Sequence, residues 1–400
     1  MMHLFLNCLA ASAGGGLTYL RNVLPPLSAR NDVRTTVAAS SSLKQELGDL
    51  PNVGWADLET DYGVASRFWQ EQAILPRLIR RCGADVLISA GNLALWRSPV
   101  PQILLSGNSL YTSDDFYRDL RSRKDYRLWL DTRVKGVFAR QSVSWADRTV
   151  APSQAFADEL RQWTGGQVIS IHHGFNYETF CEGGAALPTA IQQKLNSAND
   201  ALRLLFVSHY NYYRNFETLL RAIPLVRERL RGRRIVLFLT CKLRSEENPG
   251  SFRAEPAAAL VQRLGIAQQV VELGTVPYHL LHHLYRACDI YVTPAYAETF
   301  AHPLVEAMAS GLPVVAADLP VHREVCGQTA LYFQRFSPHE LAEQVLRLEV
   351  SPDLKKALAE RGRSRAREFS WEKHVDKLLA LATGLVQDCS RSSPINRASA

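Results

Sequence analysis

The stretch from Asp289 to Pro320, DIYVTPAYAETFAHPLVEAMASGLPVVAADLP, concentrates the residue types best able to do chemistry. Two carboxylates stand eight residues apart in it, Glu298 in a loop and Glu306 on the helix that follows. Proline is welcome at the first position of a helix and glycine just past its last turn, so Pro303 and Gly311 bracket that helix, with His302 near the N-cap. The backbone amides of Thr299, Phe300, Ala301 and His302 then converge at a helix N-terminus, whose unpaired N–H groups and dipole suit a phosphate. Carboxylates are poor neighbours for phosphate but good acceptors for sugar hydroxyls. Glu298 is therefore placed to hold a sugar and Glu306 a ribose. An acid that merely complements the helix dipole would account for Glu306 alone, and less readily for the pair.

A second segment, Ala11 to Tyr19, sets Gly14, Gly15 and Gly16 between a first strand and a first helix. Three glycines let the backbone approach a ligand closely. A dinucleotide-binding fingerprint would need a glycine where Tyr19 stands and an acid where Ser40–Ser42 stand, which argues against a dehydrogenase. Metal binding is not expected. His172 and His173 would point to opposite faces of a strand, His282-His283 shares the problem on a helix, and the sequence has no Asp-x-Asp.

The pattern Glu298-x7-Glu306, embedded in ETFAHPLVEAMASGLPVVA, closely resembles the signature of the large retaining glycosyltransferase family 4, whose fold is called GT-B. The resemblance extends over most of the chain and is densest between about residues 200 and 335. It implies that Glu298 contacts the donor sugar, that Glu306 binds the ribose hydroxyls, and that Gly14–Gly16 form the loop facing the donor diphosphate. In LLFVSHYNYYRNFETLLRA, Arg214-Asn215 matches the family's Lys-Asn, a cation on the donor phosphates, and a guanidinium can pair with phosphate bidentately. The earlier Arg of the family falls at Ser208, or at His209 if the loop shifts by one, so Lys242 is a candidate to supply the second cation. Val276, within Gly274-Thr275-Val276-Pro277, matches backbone that surrounds the nucleobase. Asn108 stands where many relatives have a His under the sugar; it can hydrogen-bond a hydroxyl but cannot carry a proton. In the retaining chemistry so implied, the leaving diphosphate oxygen takes the acceptor proton, and no protein base is compulsory.

The implied reaction is metal-independent transfer of a hexose from a nucleotide-diphosphate sugar, as co-substrate with no cofactor, to a glycan or a polyprenyl-diphosphate-linked acceptor in polysaccharide or glycolipid assembly. Two other readings remain: a non-hydrolysing nucleotide-sugar epimerase, and a transferase-like subunit that binds without turning over. Ser208 and Asn108 keep the latter open.

The elements that must position these residues alternate. Four hundred residues suffice for two ordinary domains, and 46% apolar with 21% charged residues is a globular balance. Candidate strands are 3–9, 34–39, 84–89, 102–106, 148–152 and 168–172, with helices 17–27, 67–82 and 153–163 between them. The stretch 181–200, rich in Gly, Ala, Asn, Gln and Ser, reads as a linker. The pattern restarts with strands 203–208, 234–241, 270–274, 289–293 and 313–317, helices 215–229, 257–264, 278–287 and 338–348, and a helical end over 352–385. Such alternation predicts α/β architecture: two Rossmann-like parallel-sheet domains facing across a cleft, with ligand at the strand ends. The expected division is 1–183 as an acceptor-side domain, 184–370 as the donor domain, 371–388 as a terminal helix returning to the first domain around Trp371, and 389–400 as a flexible tail.

No apolar run is long enough to span a membrane. Residues 1–16 read as a buried first strand rather than a signal peptide, because no Lys or Arg precedes the apolar stretch Leu4–Ala13 and Asn7 interrupts it. Seven scattered cysteines predict reduced thiols in a cytoplasmic protein. The net charge is +7, and Phe116–Arg140 carries eight basic residues against three acids, interleaved with aromatics. That stretch reads as a basic amphipathic helix able to rest on an anionic membrane at the inner face, or as a plain solvated face. No nucleic-acid partner is expected.

Overall fold

The computed structural model describes residues 1–10, 15–39, 41–56, 64–181, 184–230 and 232–392. The chain runs β1 (Met2–Asn7), α1 (Gly15–Ser28), β2 (Val33–Ala38), α2 (Ser41–Leu47), β3 (Val53–Trp55), α3 (Val64–Cys82), β4 (Val86–Ala90) and β5 (Gln102–Leu105). It continues with α4 (Asp114–Ser122), α5 (Tyr126–Trp145), β6 (Arg148–Ala151), α6 (Gln154–Thr164), β7 (Val168–Ser170), α7 (Tyr177–Cys181) and α8 (Thr189–Asn196). Then follow β8 (Leu202–Phe206), α9 (Phe216–Arg229), β9 (Ile235–Leu239), α10 (Glu255–Arg263), β10 (Val270–Glu272), α11 (Leu281–Ala287), β11 (Ile290–Thr293) and α12 (His302–Ala309). The last elements are β12 (Val314–Ala317), α13 (Pro320–Cys326), β13 (Ala330–Phe333), α14 (Pro338–Glu349), α15 (Pro352–Ala366) and α16 (Trp371–Ser392).

Short apolar runs such as IVLFL in β9, buried at every position, are what a parallel sheet covered on both faces demands. They assemble into two sheets whose ladders are parallel. One has the order β3-β2-β1-β4-β5-β6-β7, the other β10-β9-β8-β11-β12-β13.

The first compact unit comprises residues 1–112, 131–174 and 370–400. Successive side chains of β1 alternate between its two cores. Leu4 and Leu6 join α1 and α16, through Leu20, Val23, Val375 and Leu378, while Phe5 joins Leu75 and Ile79 of α3. The terminal helix is thus built into this unit. His172-His173-Gly174 packs against its start, with the Tyr19 hydroxyl 2.9 Å from His374 Nε2 and His374 Nδ1 2.8 Å from the His172 carbonyl. A Cβ on Gly174 would lie 2.2 Å from the Trp371 nitrogen, so only glycine fits there.

The second unit comprises residues 113–130 and 175–369. Its core is formed by β8, β9, β11 and β12 under α9, α12 and α14, with Leu204, Leu237, Val292 and Val315 fully buried.

Several expectations need correction. β3 and β13 are additional strands, each at a sheet edge. The helical end is broken between Ala366 and Trp371 into α15 and α16, where the Ser370 hydroxyl accepts from the Lys373 amide. The stretch read as a linker contains a helix: α7 ends where it begins, α8 lies within it, and Ile191 and Leu195 of α8 are buried. Residues 113–130, expected in the first domain, belong to the second unit. Of the proposed tail, residues 393–400 lie outside the described residues, as do Gly14 and Ser40.

Candidate functional site

In the second unit, the C-terminal ends of β8, β9, β10 and β11 carry the residues singled out from sequence, as open parallel sheets arrange their ligand sites. The β11–α12 loop is central. Ala301 caps α12 in the left-handed region (φ 63°, ψ 62°), and no side chain caps the helix. A non-glycine residue held there is strained. His302 is the first helical residue rather than the cap, and Pro303 follows it in the first turn. The Phe300 side chain is buried, with its ring 5.3 Å from Phe369, so only its backbone can serve a ligand.

The loop is fixed to the start of α9. Asn215, also left-handed at φ 54°, donates from Nδ2 to the Pro294 carbonyl at 3.1 Å and accepts from the Thr218 hydroxyl at 2.9 Å. The Tyr296 amide donates to the Tyr213 carbonyl at 3.0 Å. These bonds bring Arg214 onto Glu298, and the guanidinium Nη1 donates to Oε1 of the carboxylate. The cation assigned to phosphate and the carboxylate assigned to sugar therefore neutralise one another. Arg214 Nε is buried and has no partner among the described residues.

Glu306 projects from α12 into the protein and is 4% exposed; its Oε2 accepts from the Tyr285 hydroxyl at 2.7 Å. Burial raises its pKa to about 7, against a smaller opposing effect of the Tyr285 hydrogen bond. Ser208 follows β8, its amide donating to the Thr240 hydroxyl at 3.0 Å and its own hydroxyl to the His209 carbonyl at 2.7 Å. Lys242 follows β9, with its Cε 3.4 Å from where a Cβ on Gly274 would stand, so lysine and the Gly274–Val276 turn are neighbours. Val276 is buried.

Gly15, Gly16 and Asn108 belong to the first unit. Gly15 and Gly16 open α1, and Asn108 Oδ1 accepts from the Leu110 amide at 3.0 Å. His282 and His283 lie side by side, rings 3.9 Å apart. Among the described residues no group of three or more His, Cys, Asp or Glu is gathered as a metal cluster, no helix is long and apolar enough to cross a membrane, and all seven cysteines are free thiols.

Three contributors escaped the sequence reading. Asp119 of α4 accepts from the Tyr296 hydroxyl at 2.8 Å and from Arg123 at 2.8 Å, and Arg123 also donates to Glu217 of α9 at 2.8 Å. Tyr296 itself braces the Glu298 loop. The third is His322, fully buried on α13, with Nδ1 2.7 Å from the Ala317 carbonyl and Nε2 without a partner among the described residues. Burial lowers its pKa to about 4, with Arg214 adding to the effect. The ring is neutral and presents Nε2 as an acceptor. Asp119 and Tyr296 are 177 positions apart, so no local pattern announces them. Three of the eight basic residues of 116–140 are held in ion pairs among the described residues: Arg118 with Asp115, Arg123 with Asp119 and Glu217, and Lys135 with Asp131.

A cavity of about 620 Å³ in this unit opens at the opposite ends of β11 and β12, beside Asp289 and Pro313; Tyr285 lines it, but Glu298, Glu306, Arg214 and Lys242 do not. The arrangement at the C-terminal strand ends, by contrast, offers a helix start that no side chain caps, a guanidinium, and two carboxylates.

Residues 13–179 match the family described as Glycosyltransferase Family 4, and residues 189–365 match Glycosyl transferases group 1. The D-inositol 3-phosphate glycosyltransferase of Actinosynnema mirum is 30% identical over 273 residues, 65% of this chain and 63% of that protein. The chain thus spans a little under two thirds of that relative's length. Among solved structures, sucrose-phosphate synthase from Thermosynechococcus elongatus superposes with a TM-score of 0.75 at 18% identity, covering 97% of this chain and 100% of its own. Anabaena Alr3699/HepE, solved in complex with UDP-glucose, gives 0.71 at 17% identity, covering 96% of this chain and 100% of its own.

Proposed function

Since the chain belongs to glycosyltransferase family 4 and has its GT-B fold, we propose that it transfers a hexose from a nucleotide-diphosphate sugar, with retention of configuration and without a metal ion. The observation that supports this most directly is the uncapped start of α12 flanked by Glu298 and Glu306, with Arg214 beside it. The α12 amides and the spare Arg214 donor would receive the diphosphate, and Lys242 would add a second cation from the β9 end. Glu298 would leave Arg214 and turn to the sugar hydroxyls. Glu306 would meet the ribose. A uridine diphosphate sugar is the first donor to try, because the Anabaena structural neighbour was solved with UDP-glucose.

In this reading the acceptor is a glycan or a polyprenyl-diphosphate-linked sugar at the inner membrane face, and the chain works from the cytoplasm. The name of the Actinosynnema relative supports adding inositol phosphate to the acceptor panel as a soluble alternative. Asn108 orients a hydroxyl from the first unit, and the leaving phosphate oxygen carries the proton.

Donor hydrolysis and transfer, followed by NMR of the anomeric product, test the proposal. Glu298→Ala is expected to lower turnover by about 100-fold, the scale of losing one preorganised polar contact in a reaction site. Chelation of divalent ions is expected to leave the rate unchanged. Full turnover in Glu298→Ala, or an inverted product, would overturn the assignment.

A further inference from the structure

Within the first unit, α5 is inverted relative to an ordinary surface helix. Its buried positions, Thr132, Gly136, Ala139, Ser142 and Val143, are mostly small, whereas the larger Val134, Val137 and Phe138 are exposed. These three recur at i, i+3 and i+4 and so form one stripe. Exposed apolar residues scattered singly need no explanation, but a contiguous set does.

The stripe does not stand alone. Phe68 of α3 lies 5.5 Å from Phe138 and 5.6 Å from Trp69, which is 66% exposed. One turn along α3, Gln72 accepts from the Trp96 amide at 2.8 Å and donates to the Ala94 carbonyl at 3.1 Å, which fastens Trp96, 60% exposed, to the same face. Ala94 in turn packs with Val143 of α5. Two outward indoles and an apolar helix stripe are therefore held on one surface by specific contacts.

The charge bordering this surface is cationic. Arg97 lies 4.7 Å over the Trp96 ring, and Arg133 and Arg140 are exposed on α5. The one acid of α5 in this unit, Asp131, is bonded to Lys135 at 2.7 Å. Indole rings favour the headgroup level of a bilayer, and arginines beside them favour anionic lipid.

We infer that this face, formed by Trp69, Trp96, Val134, Val137 and Phe138 with Arg97 and Arg140 at its edge, docks the protein on an anionic phospholipid surface. The inference rests on the reading of a lipid-linked acceptor and narrows it. The membrane contact moves away from Arg118 and Arg123, which are committed to ion pairs in the other unit, to an apolar insertion surface that the basic count does not reveal.

Flotation of the full chain with vesicles tests this, using phosphatidylcholine alone and an equal mixture with phosphatidylglycerol. The expected result is binding that is at least about tenfold tighter to the anionic vesicles than to the neutral ones at low salt, with a blue shift of tryptophan fluorescence. Trp69→Ser with Trp96→Ser should weaken binding at least about tenfold at low and high salt, because burial of apolar surface is insensitive to screening. Arg97→Ser with Arg140→Ser should remove only the salt-sensitive part. Unchanged binding in the tryptophan variant would overturn the inference. So would failure of the unaltered chain to float, or a mass by light scattering showing that the face pairs two copies. Donor hydrolysis is measured in the same samples without lipid. A chain that hydrolyses donor but ignores vesicles loses the docking surface and keeps the transferase reading, whereas the reverse result separates them the other way.

Discussion

Arg214 Nη1 and Glu298 occupy one another, so an anion that takes the guanidinium at that nitrogen must displace a carboxylate. That exchange gives the donor a route to reorganise the loop: phosphate takes the cation and frees the acid for hydroxyls. Glu306 adds a pH dependence. Its buried carboxyl titrates at about 7, above the value of about 4.3 expected in an unfolded chain. A raised carboxyl pKa means that the native state holds the proton more tightly, so this stability is present in full below the unfolded value and is lost as pH rises through 7. Glu306→Gln mimics the protonated form. It is expected to raise the melting temperature at pH 8, by an amount worth about 3–4 kcal/mol at most, to raise it by only about 1 kcal/mol's worth at pH 5, and to leave it nearly unchanged at pH 4. Equal effects at pH 8 and pH 4 would mean that the carboxyl is not the titrating group. Glu298, Glu306 and Arg214 were legible because short motifs carry them. The Arg214–Glu298 pair was not, since it depends on two loops 84 positions apart meeting at Asn215 and Tyr296.

At the scale of elements, α4 is the piece whose role the sequence concealed. Its acids and basic residues look like a charged surface helix, yet Phe116 and Leu120 are fully buried and Asp119 reaches the Glu298 loop. The Ser113 hydroxyl caps it, accepting from the Phe116 amide at 3.2 Å. We predict that Tyr296→Phe, which removes the hydroxyl from Asp119, costs about 1–2 kcal/mol of stability in the second unit. It should also raise the donor KM about tenfold, while Asp119→Asn, which can still accept that hydroxyl, keeps most of the affinity. Equal donor KM in Tyr296→Phe and the unaltered chain would remove α4 from the site. The central strands were legible because they are continuous apolar runs. β3 and β13 were not, because VGW and ALYF are short edge pieces with no room for a periodic signal. The break before α16 had a local cue, a serine just before Trp371, but apolar residues on both sides disguised it.

For the whole molecule, alternation of strands and helices was enough to predict two parallel sheets, and the terminal helix was expected back in the first domain, whereas the passage of residues 113–130 into the second unit was not foreseen. The particular partner of α16, the α1 face carrying Leu20 and Val23, leaves no trace in spacing. Gly174→Ala tests how firmly that helix is held. The added methyl meets the Trp371 backbone, so the first unit should lose about 1–3 kcal/mol or more, read as a separate, lower thermal transition. A fragment ending at Phe369 should be digested within residues 1–112 and 131–174, where Leu20 and Val23 lose their cover, while 175–369 resists protease. Because α16 lies beyond the whole second unit in the chain, the ribosome delivers the pieces out of spatial order. The unit begun second has all its strands before the unit begun first has its last helix. During synthesis the first sheet must therefore wait with one apolar face uncovered, which makes it the part of the nascent protein most in need of a chaperone.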